Sequence, residues 1–374
     1  MRRIRVIQMV ERLEIGGLEQ VIATLGVHLD PHRFQPEIWC LAGAGPIAER
    51  LRAAGLPVRV LGIDNYHRPT ALWRLIRLFR DEAPEIVHTH GYFAGVIGRL
   101  AAKGAGVPVV LHHVHSAYWN YHRRHRLMER LLAGVTDTIL CCSQAVAAYV
   151  REAEGVPPGK LAVVYNGIDP CPASPPDLPA LRCALGLLAD QPVVMTVASL
   201  TPHKGHTHLL AAAAVVLAER PETRFLLVGG GPLLAELKGQ CQRLGIAEQV
   251  RFAGIRSDAR ALLGLASCFA LPSSEREGLG IAILEAMAAG LAAVGTRVGG
   301  IVEVIEEGES GFLVPPCAPE PLAEAILALL GDQERRQRMG QRGRAIFDQR
   351  FQTATMIAEV TRLYEKALSS KGLG

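Results

Sequence analysis

The sequence predicts an α/β protein made of two doubly wound domains that face each other across a cleft. A chain of 374 residues is too long for one ordinary core. Short apolar runs alternate with amphipathic stretches along most of its length, which is typical of parallel sheets covered by helices. A proline-rich segment interrupts this alternation near residue 170, and the pattern then starts again. The break therefore indicates a boundary between two domains.

The first half of the chain contains seven short apolar runs, with amphipathic stretches such as 45–54 and 70–80 between them. We predict that these runs are the strands of a parallel sheet wrapped by helices. The predicted strands are 4–10, 34–41, 58–61, 86–90, 107–111, 138–142 and 161–164.

The second half repeats the pattern after residues 170–179, which contain five prolines in ten residues. Proline breaks helices and central strands, so this segment is predicted to be a linker with no helix. Helical patterns close the chain at 321–330 and from 333 to 368. The predicted strands of this half are 193–198, 224–228, 250–252, 268–271, 292–295 and 311–314.

These patterns set the expected domain limits. We expect an N-terminal domain over 1–169, a proline-rich hinge over 170–190 and a second domain over 191–350. A C-terminal helix over 351–374 is expected to pack back on the N-terminal domain. Doubly wound sheets bind ligands beyond the carboxyl ends of their strands, so a cleft enzyme is predicted.

Composition and charge narrow the class of protein. The eight cysteines are scattered without a CxxC pair, which favours reduced thiols in a cytoplasmic protein over disulfides or a zinc site. The longest wholly apolar stretch, 209–218, is about half of a membrane span and predicts a core helix. Net charge is +5 over residues 1–170 and −1 over 171–374, so the first half is expected to meet any anionic partner.

Three glycine clusters lie beside predicted strands, where free backbone N–H groups can approach a phosphate. The first is Gly16-Gly17, for which a plain strand-to-helix turn is the alternative. The second, 229–231, supports a dinucleotide site only weakly, because Leu234 stands where that motif needs a small residue. The third is Gly278-Leu279-Gly280, at the head of an apolar helix.

Two glutamates flank the third cluster. Glu277 precedes the helix, and Glu285 lies inside it, about one and a half turns along. At this spacing the two carboxylates are expected to reach different parts of one extended ligand, with the helix N-terminus holding its phosphates between them. A carboxylate can accept two hydrogen bonds from a diol, which suits sugar and ribose hydroxyls. The alternative is an ordinary N-terminal acid and a solvated glutamate, which the alanines around Glu285 disfavour.

In this order and spacing, the motifs resemble glycosyltransferase family 4, also called group 1, whose members have the GT-B fold of two Rossmann-like domains. The most specific match is the family's E-x7-E motif, formed here by Glu277 and Glu285. Supporting matches are the Gly16-Gly17 loop, 165–169 (YNGID), 200–205 (LTPHKG), 228–232 (VGGGP), 298–303 (VGGIVE) and 311–315 (GFLVP).

The resemblance implies a retaining hexosyltransferase that moves a sugar from a UDP- or GDP-sugar to a glycan or lipid-linked acceptor. It implies donor binding by the C-terminal domain, acceptor binding by the N-terminal domain, and no metal or other cofactor. Bacterial polysaccharide, lipopolysaccharide or glycolipid synthesis is the expected setting.

The resemblance also implies roles for single residues. Glu277 is expected to hold donor-sugar hydroxyls, and Glu285 the ribose hydroxyls. Lys204 is expected to neutralise the pyrophosphate, helped by backbone N–H groups of Gly17 and of 278–280. The charge that builds up on a departing pyrophosphate requires such positive groups.

One position departs from the family pattern. The family's arginine after the strand that precedes the lysine is replaced by Ser199, which takes its place among the expected donor-binding residues. We expect either that Lys204 and the helix start suffice, or that Arg276 or Arg297 compensates. Loss of activity is the third alternative.

His115 matches a family histidine near the donor sugar, which accepts a hydrogen bond from a hydroxyl or stabilises transition-state charge. A solvated strand end is the alternative. His88 and His90 end an adjacent strand and are expected to line the same cleft. A metal site made of these three histidines and His113 is a rival hypothesis, disfavoured because no Asp, Glu or Cys lies at ligand spacing.

The stretch 118–126 begins with Tyr118, ends with Arg126, and mixes aromatic with basic side chains. Such a stretch predicts either contact with an anionic membrane surface, on the inner face of the membrane, or a solvated basic helix face. A nucleic-acid partner is not expected, because the net charge is only +4 and no binding motif is present.

Two other functions stay open at this point. One is nucleotide-sugar epimerisation or phosphorolysis on a similar fold, which the E-x7-E motif disfavours. The other is a nucleotide-sugar-binding protein without transferase activity, which is suggested by the replacement of the family arginine by Ser199.

Overall fold

The structure is a computed structural model that describes residues 3–14, 16–65, 67–117, 122–170 and 177–373. The chain divides into two compact units of similar size. The first unit comprises Met1–Ile168 together with Thr353–Gly374, and the second comprises Asp169–Gln352.

The first unit is built on a seven-stranded parallel sheet. Its strands are β1 (Ile4–Leu13), β2 (Phe34–Ala44), β3 (Val58–Val60), β4 (Ile86–His90), β5 (Val109–Val114), β6 (Thr138–Cys141) and β7 (Leu161–Val163). They are ordered β3-β2-β1-β4-β5-β6-β7. The helices are α1 (Gly17–His28), α2 (Pro46–Ala53), α3 (Pro69–Glu82), α4 (Tyr92–Ala105), α5 (Arg123–Ala133) and α6 (Gln144–Ala153).

The second unit is built on a six-stranded parallel sheet. Its strands are β8 (Val193–Val197), β9 (Arg224–Val228), β10 (Val250–Gly254), β11 (Cys268–Leu271), β12 (Ala293–Thr296) and β13 (Gly311–Val314). They are ordered β10-β9-β8-β11-β12-β13. The helices are α7 (Leu178–Ala184), α8 (His206–Glu219), α9 (Leu234–Arg243), α10 (Ala259–Leu262), α11 (Ile281–Ala288), α12 (Ile301–Val304), α13 (Pro319–Gly331) and α14 (Gln333–Arg350).

A last helix, α15 (Thr353–Ser369), belongs to the first unit, where it packs against α1 and β5. The single helical pattern predicted from 333 to 368 is therefore two helices, separated at Phe351 and Gln352 where the chain passes from one unit to the other. The prediction of two doubly wound α/β domains is confirmed. No helix among the described residues has both the length and the apolarity needed to cross a membrane.

Two local predictions were wrong. Part of the segment expected to be free of helix forms α7, because the Asp177 carboxylate accepts a hydrogen bond from the Ala180 N–H at 3.0 Å and Pro179 lies in the first turn, where its missing N–H is not needed. Strand β5 runs from Val109 to Val114 instead of over 107–111, since Pro108 has no N–H to donate to the sheet. The shift places His112 and His113 within the strand.

Each sheet has one place where the order of its strands reverses. It lies between β1 and β4 in the first unit, and between β8 and β11 in the second. Loops that leave two such strands in opposite directions form a crevice, which is where open α/β sheets bind their ligands. The candidate residues of the second unit lie on the loops after β8 and β11, except Glu285, which lies in α11.

The loop after β8 lies tightly against the loop after β11 at Gly205. Gly205 has φ 68°, and a β-carbon there would collide with the carbonyl oxygen of Pro272. Gly186 has nearly the same backbone angle, φ 67°, but open space around it. An alanine at Gly186 therefore measures the cost of the left-handed conformation alone. An alanine at Gly205 adds the cost of the close approach to Pro272.

We expect Gly205→Ala to lower the free energy of unfolding of the second unit by about 3 kcal/mol, and Gly186→Ala by about 1 kcal/mol. Chemical denaturation of both variants measures the difference. Equal losses in the two variants would contradict a tight contact at Gly205.

Candidate active site

The central contact of the second unit joins the loops that follow β8 and β11. Lys204 ends a 3₁₀ turn, Pro202–Lys204, and its Nζ donates a hydrogen bond to Oε2 of Glu277 at 2.7 Å. The Lys204 side chain is 19% exposed and the Glu277 side chain 10%. A nearly buried ion pair therefore stands at the point where the strand order reverses.

Glu277 is held from three sides. Ser273 Oγ donates to the same Oε2 atom at 2.6 Å, and Thr296 Oγ1 donates to the Ser273 carbonyl at 2.5 Å. The Glu277 carbonyl is so close to Gly299 that a β-carbon on this glycine would collide with it. Sequence reasoning missed Ser273, although its place four residues before Glu277 and two residues after a predicted strand is a signal that could have found it.

Helix α11 begins at Ile281, after Gly280, which has φ 86° and ψ 58°. Gly278 and Leu279 are buried just before it. The first turn of a helix leaves backbone N–H groups without partners inside the helix, and the helix dipole favours an anion there. The expected phosphate-binding segment therefore adjoins the Lys204–Glu277 ion pair directly.

Glu285 lies in α11 and has a different partner from Glu277. Its Oε1 is 3.9 Å from Nε of Arg260, whose Nη2 donates to the Asp169 carbonyl at 2.5 Å. Burial raises the pKa of Glu285, while the Arg260 charge acts in the opposite direction. Each of the two glutamates thus has its own cation.

Ser199 is exposed two residues after β8, and its Oγ lies 3.1 Å from Oγ1 of Thr201. Of the two arginines expected to compensate for the missing cation, Arg297 is half exposed and pairs with Glu307 at 3.0 Å. Arg276 precedes Glu277 with a left-handed φ of 59°. Burial lowers the pKa of His203, and the charges of Lys204 and Arg276 lower it further. Arg276 pairs with Glu275 at 3.1 Å, and its charge also reaches His203 in the turn that carries Lys204.

In the first unit, Gly16 is the N-cap of α1 and Gly17 is its first residue. The Glu19 carboxylate packs against Gly16, where any side chain would collide with it, and burial raises the pKa of Glu19. The glycines are thus placed at a helix start, as the sequence indicates, with a carboxylate beside them.

The four predicted cleft or ligand histidines form one cluster in the first unit. His115 follows β5 and is half-buried, and its Nε2 lies 3.0 Å from Nδ1 of His90. His88 and His90, which were expected to line the cleft, are instead buried, at 0% and 1% exposed, and the Tyr364 hydroxyl of α15 lies 2.7 Å from Nδ1 of His88. Ring nitrogens of His88, His90 and His113 lie within 4.8 Å of one another.

Helix α5 contains part of the predicted membrane-facing stretch, while residues 118–121 lie outside the described residues. The side chains of Leu127 and Leu131 are 57% and 64% exposed, and that of Met128 is 36% exposed. Glu129 faces inward instead, where it pairs with the fully buried Arg99 at 2.5 Å. The helix thus buries an ion pair beside Leu132 and Ala133, and its outer face carries exposed apolar side chains among exposed arginines.

Known proteins resemble this chain over nearly its whole length. Residues 15–171 match the family described as Glycosyltransferase Family 4, and residues 179–346 match Glycosyl transferases group 1. The alpha-maltose-1-phosphate synthase of Mycolicibacterium smegmatis is 31% identical over 313 residues, which cover 76% of this chain and 80% of that protein. The UDP-Gal:alpha-D-GlcNAc-diphosphoundecaprenol alpha-1,3-galactosyltransferase of Escherichia coli is 29% identical over 336 residues, or 85% of this chain and 86% of the relative.

Among solved structures, Anabaena HepE in complex with UDP and glucose superposes with a TM-score of 0.89 at 24% identity, over 97% of this chain and 100% of that chain. The fold similarity identifies the architecture, and the sequence matches identify the family. The resemblance indicated by the E-x7-E motif is confirmed: the chain belongs to glycosyltransferase family 4 and is a sugar-transferring enzyme with the GT-B fold.

Proposed function

We propose that the second unit binds a nucleotide-sugar donor around the Lys204–Glu277 ion pair and that the enzyme transfers the sugar with retention. The observation that carries this proposal is the 2.7 Å contact between the two side chains at the reversal of strand order. The ammonium and the helix start together match the diphosphate of such a donor, and the carboxylate matches its sugar hydroxyls.

The positive charge of Lys204 and of the helix start suits the negative charge that develops on the leaving group during sugar transfer. When the bond between the anomeric carbon and the phosphate oxygen breaks, its electron pair leaves with the nucleoside diphosphate, and positive charge develops on the sugar. Lys204 has three N–H donors, of which one contacts Glu277, so two remain for phosphate oxygens. Fixed positive groups that do not have to reorganise stabilise the leaving group most strongly.

We assign the two glutamates to the two parts of the donor on either side of its diphosphate. Glu277 uses Oε2 for Lys204 and Ser273, and we assign its Oε1 to the sugar hydroxyls. Glu285 is assigned to the ribose diol, with Arg260 fixing the carboxylate. The donor is a UDP- or GDP-sugar; a UDP-Gal-using relative of similar length supports the first of these.

The first unit is assigned to the acceptor, a glycan or a lipid-linked saccharide of bacterial polysaccharide, lipopolysaccharide or glycolipid synthesis. The Escherichia coli relative acts, by its name, on a lipid diphosphate acceptor, which supports this class. His115 is assigned to the donor sugar. Neither role requires a metal ion, because Lys204 and the start of α11 supply positive charge at the leaving group.

Helix α5 is proposed to rest on an anionic membrane surface, where lipid-linked acceptors lie. Exposed Arg123, Arg124 and Arg130 accompany its apolar surface. Basic side chains beside exposed leucines are the two components of interfacial binding. The proposed acceptor chemistry and this surface thus belong to the same unit of the enzyme.

Removing the ammonium tests the donor site. We expect Lys204→Met to lower kcat by about 10²- to 10³-fold, because one preorganised charge on the leaving group is lost. The double variant Lys204→Met with Glu277→Gln removes the buried charge that the single variant leaves unpaired, so it restores the unfolding midpoint but not transfer. Lys238→Ala, an exposed lysine of α9, is the matched control.

Rates are measured by release of the nucleoside diphosphate, with the donor chosen from UDP-, GDP- and ADP-sugars by thermal shift. Normal turnover in either Lys204 variant would refute the assignment.

The replacement of the family arginine by Ser199 leads to a second prediction. We expect Arg276→Ala to raise the KM for the donor or lower kcat by about tenfold, since its charge acts on the Lys204 turn, while Arg297→Ala changes neither by more than about twofold. Adding Ser199→Arg to Arg276→Ala is expected to recover activity. If Arg297→Ala is the more damaging variant, the compensating cation has been misidentified.

Vesicle binding tests helix α5. We expect Leu127→Asp with Leu131→Asp to abolish sedimentation with phosphatidylglycerol vesicles, because both apolar anchors are lost and negative charge is added. Binding of the parent enzyme is expected to weaken with salt. Val215→Asp, an exposed apolar position of α8, serves as the control and keeps binding. Salt-independent binding, or none by the parent enzyme, would count against a membrane-facing α5.

A further inference from the structure

The histidine cluster of the first unit occupies one face of its central strands. Register pairs Gln8 with His88 across β1 and β4, and His90 with His113 across β4 and β5. Because side chains alternate across a strand, Gln8, His88, His90 and His113 point to the same side. Tyr364 of α15 covers this side, with its ring centroid 5.7 Å from that of His88.

A continuous chain of hydrogen bonds runs through the cluster. The Gln8 amide nitrogen donates to the Tyr364 hydroxyl at 2.9 Å. The Gln8 amide oxygen lies 2.7 Å from Nε2 of His90, and an amide oxygen only accepts, so this ring nitrogen carries the proton. Nδ1 of His90 then has the lone pair. It lies 3.0 Å from Nε2 of His115, which must therefore be the N–H donor.

His90 must be neutral for this chain to exist, because a protonated imidazole has no acceptor, and His115 must be neutral for its Nδ1 to accept a further hydrogen bond. Burial lowers the pKa of His90 well below its ordinary value, and the neighbouring histidines lower it further. Burial also lowers the pKa of His115 to about 3. At neutral pH each ring thus has one N–H and one lone pair, and the Gln8 amide decides which nitrogen has which.

The chain ends at Nδ1 of His115. This nitrogen is shielded from solvent and has no hydrogen-bond partner among the described residues, although His115 as a whole is only half-buried. An unpaired buried acceptor is unfavourable until a donor reaches it. The lone pair on Nδ1 is the group that a hydroxyl would satisfy.

We propose that Gln8 and His90 are positioning residues that fix the proton of His115 on Nε2, so that its Nδ1 accepts a hydrogen bond from a hydroxyl of the donor sugar. The inference rests on the proposed function for the identity of the hydroxyl. The tautomer itself follows from the contacts of the first unit alone. His115 acts as a neutral acceptor and does not carry positive charge.

The same rings have the composition of a metal site, but their surroundings disfavour one. Both nitrogens of His90 are already used in hydrogen bonds. The group of possible ligands found among the described residues contains only His88, His90 and His113, without a carboxylate or thiolate to offset a buried divalent charge. The proposal therefore requires that purified enzyme contain less than stoichiometric metal.

Nitrogen-15 NMR of the histidine-labelled enzyme measures the tautomer directly, because the shift of an imidazole nitrogen distinguishes N–H from a lone pair. The His115 signals are assigned by their loss in His115→Gln. We expect Nε2–H and an unprotonated Nδ1 in the parent enzyme. The opposite tautomer, an imidazolium at neutral pH, or stoichiometric zinc by elemental analysis would overturn the proposal.

Variants of Gln8 test whether the tautomer matters for transfer. Gln8→Leu removes the acceptor for His90, so we expect mixed His115 tautomers and a kcat/KM about tenfold lower. Gln8→Glu, protonated at this buried position, keeps a carbonyl for His90 and an O–H for Tyr364; we expect it to restore both readouts to within about threefold. Thr89→Val lies on the opposite face of β4 and is the control for folding.

The outcomes separate the two proposals. A parent enzyme that transfers no sugar would refute the proposed function, while the NMR measurement would still decide the tautomer. If Gln8→Leu changes the tautomer but not the rate, or if Gln8→Glu fails to restore what Gln8→Leu loses, the positioning role is refuted.

Discussion

The hydrogen bond between Lys204 and Glu277 is the contact on which the candidate active site depends. It exists because β8 and β11 are neighbours in the sheet while their connections leave in opposite directions. Two loops far apart in sequence then meet, and glycine at 205 lets their backbones approach closely; Gly299, on the loop after β12, allows the same close approach to Glu277. The ion pair, Ser273 and the start of α11 form one rigid unit, which is the preorganisation that a developing anion requires.

The two units differ in the electrostatics of their candidate site residues: those of the second unit are charged, and the histidines of the first unit are neutral. In the second unit, charges are kept nearly buried and paired, so that an ammonium faces the place where a diphosphate is proposed to bind. In the first unit, burial keeps the histidines neutral, and direction is given by the order of donors and acceptors starting at Gln8. A charge stabilises a leaving group, whereas a neutral lone pair selects the position of a hydroxyl.

Helix α5 shows why charge counted along a sequence is an incomplete guide. The mixture of aromatic and basic side chains drew attention to the stretch around residues 118–126. The pattern did not reveal that Glu129 turns inward to the buried Arg99, or that Leu127 and Leu131 face outward. The inward position of Glu129 depends on Arg99, a cation from α4, which no local periodicity contains. In the same way, Asp177 and Pro179 begin a helix within a segment whose proline content alone indicated a linker.

The sequence by itself determined the parallel α/β class, most strand positions and the family, because alternating apolar runs and glycine spacing are local signals. It also indicated Lys204, Glu277 and Glu285 as candidate site residues. Only the tertiary structure decided which partners these residues have. Ser273, Arg260 and the path from Tyr364 through Gln8 to His115 join side chains up to 356 positions apart. Strand order and the return of α15 to the first unit bring these side chains together. Both depend on contacts between residues that are distant in sequence, so local sequence patterns do not reveal them.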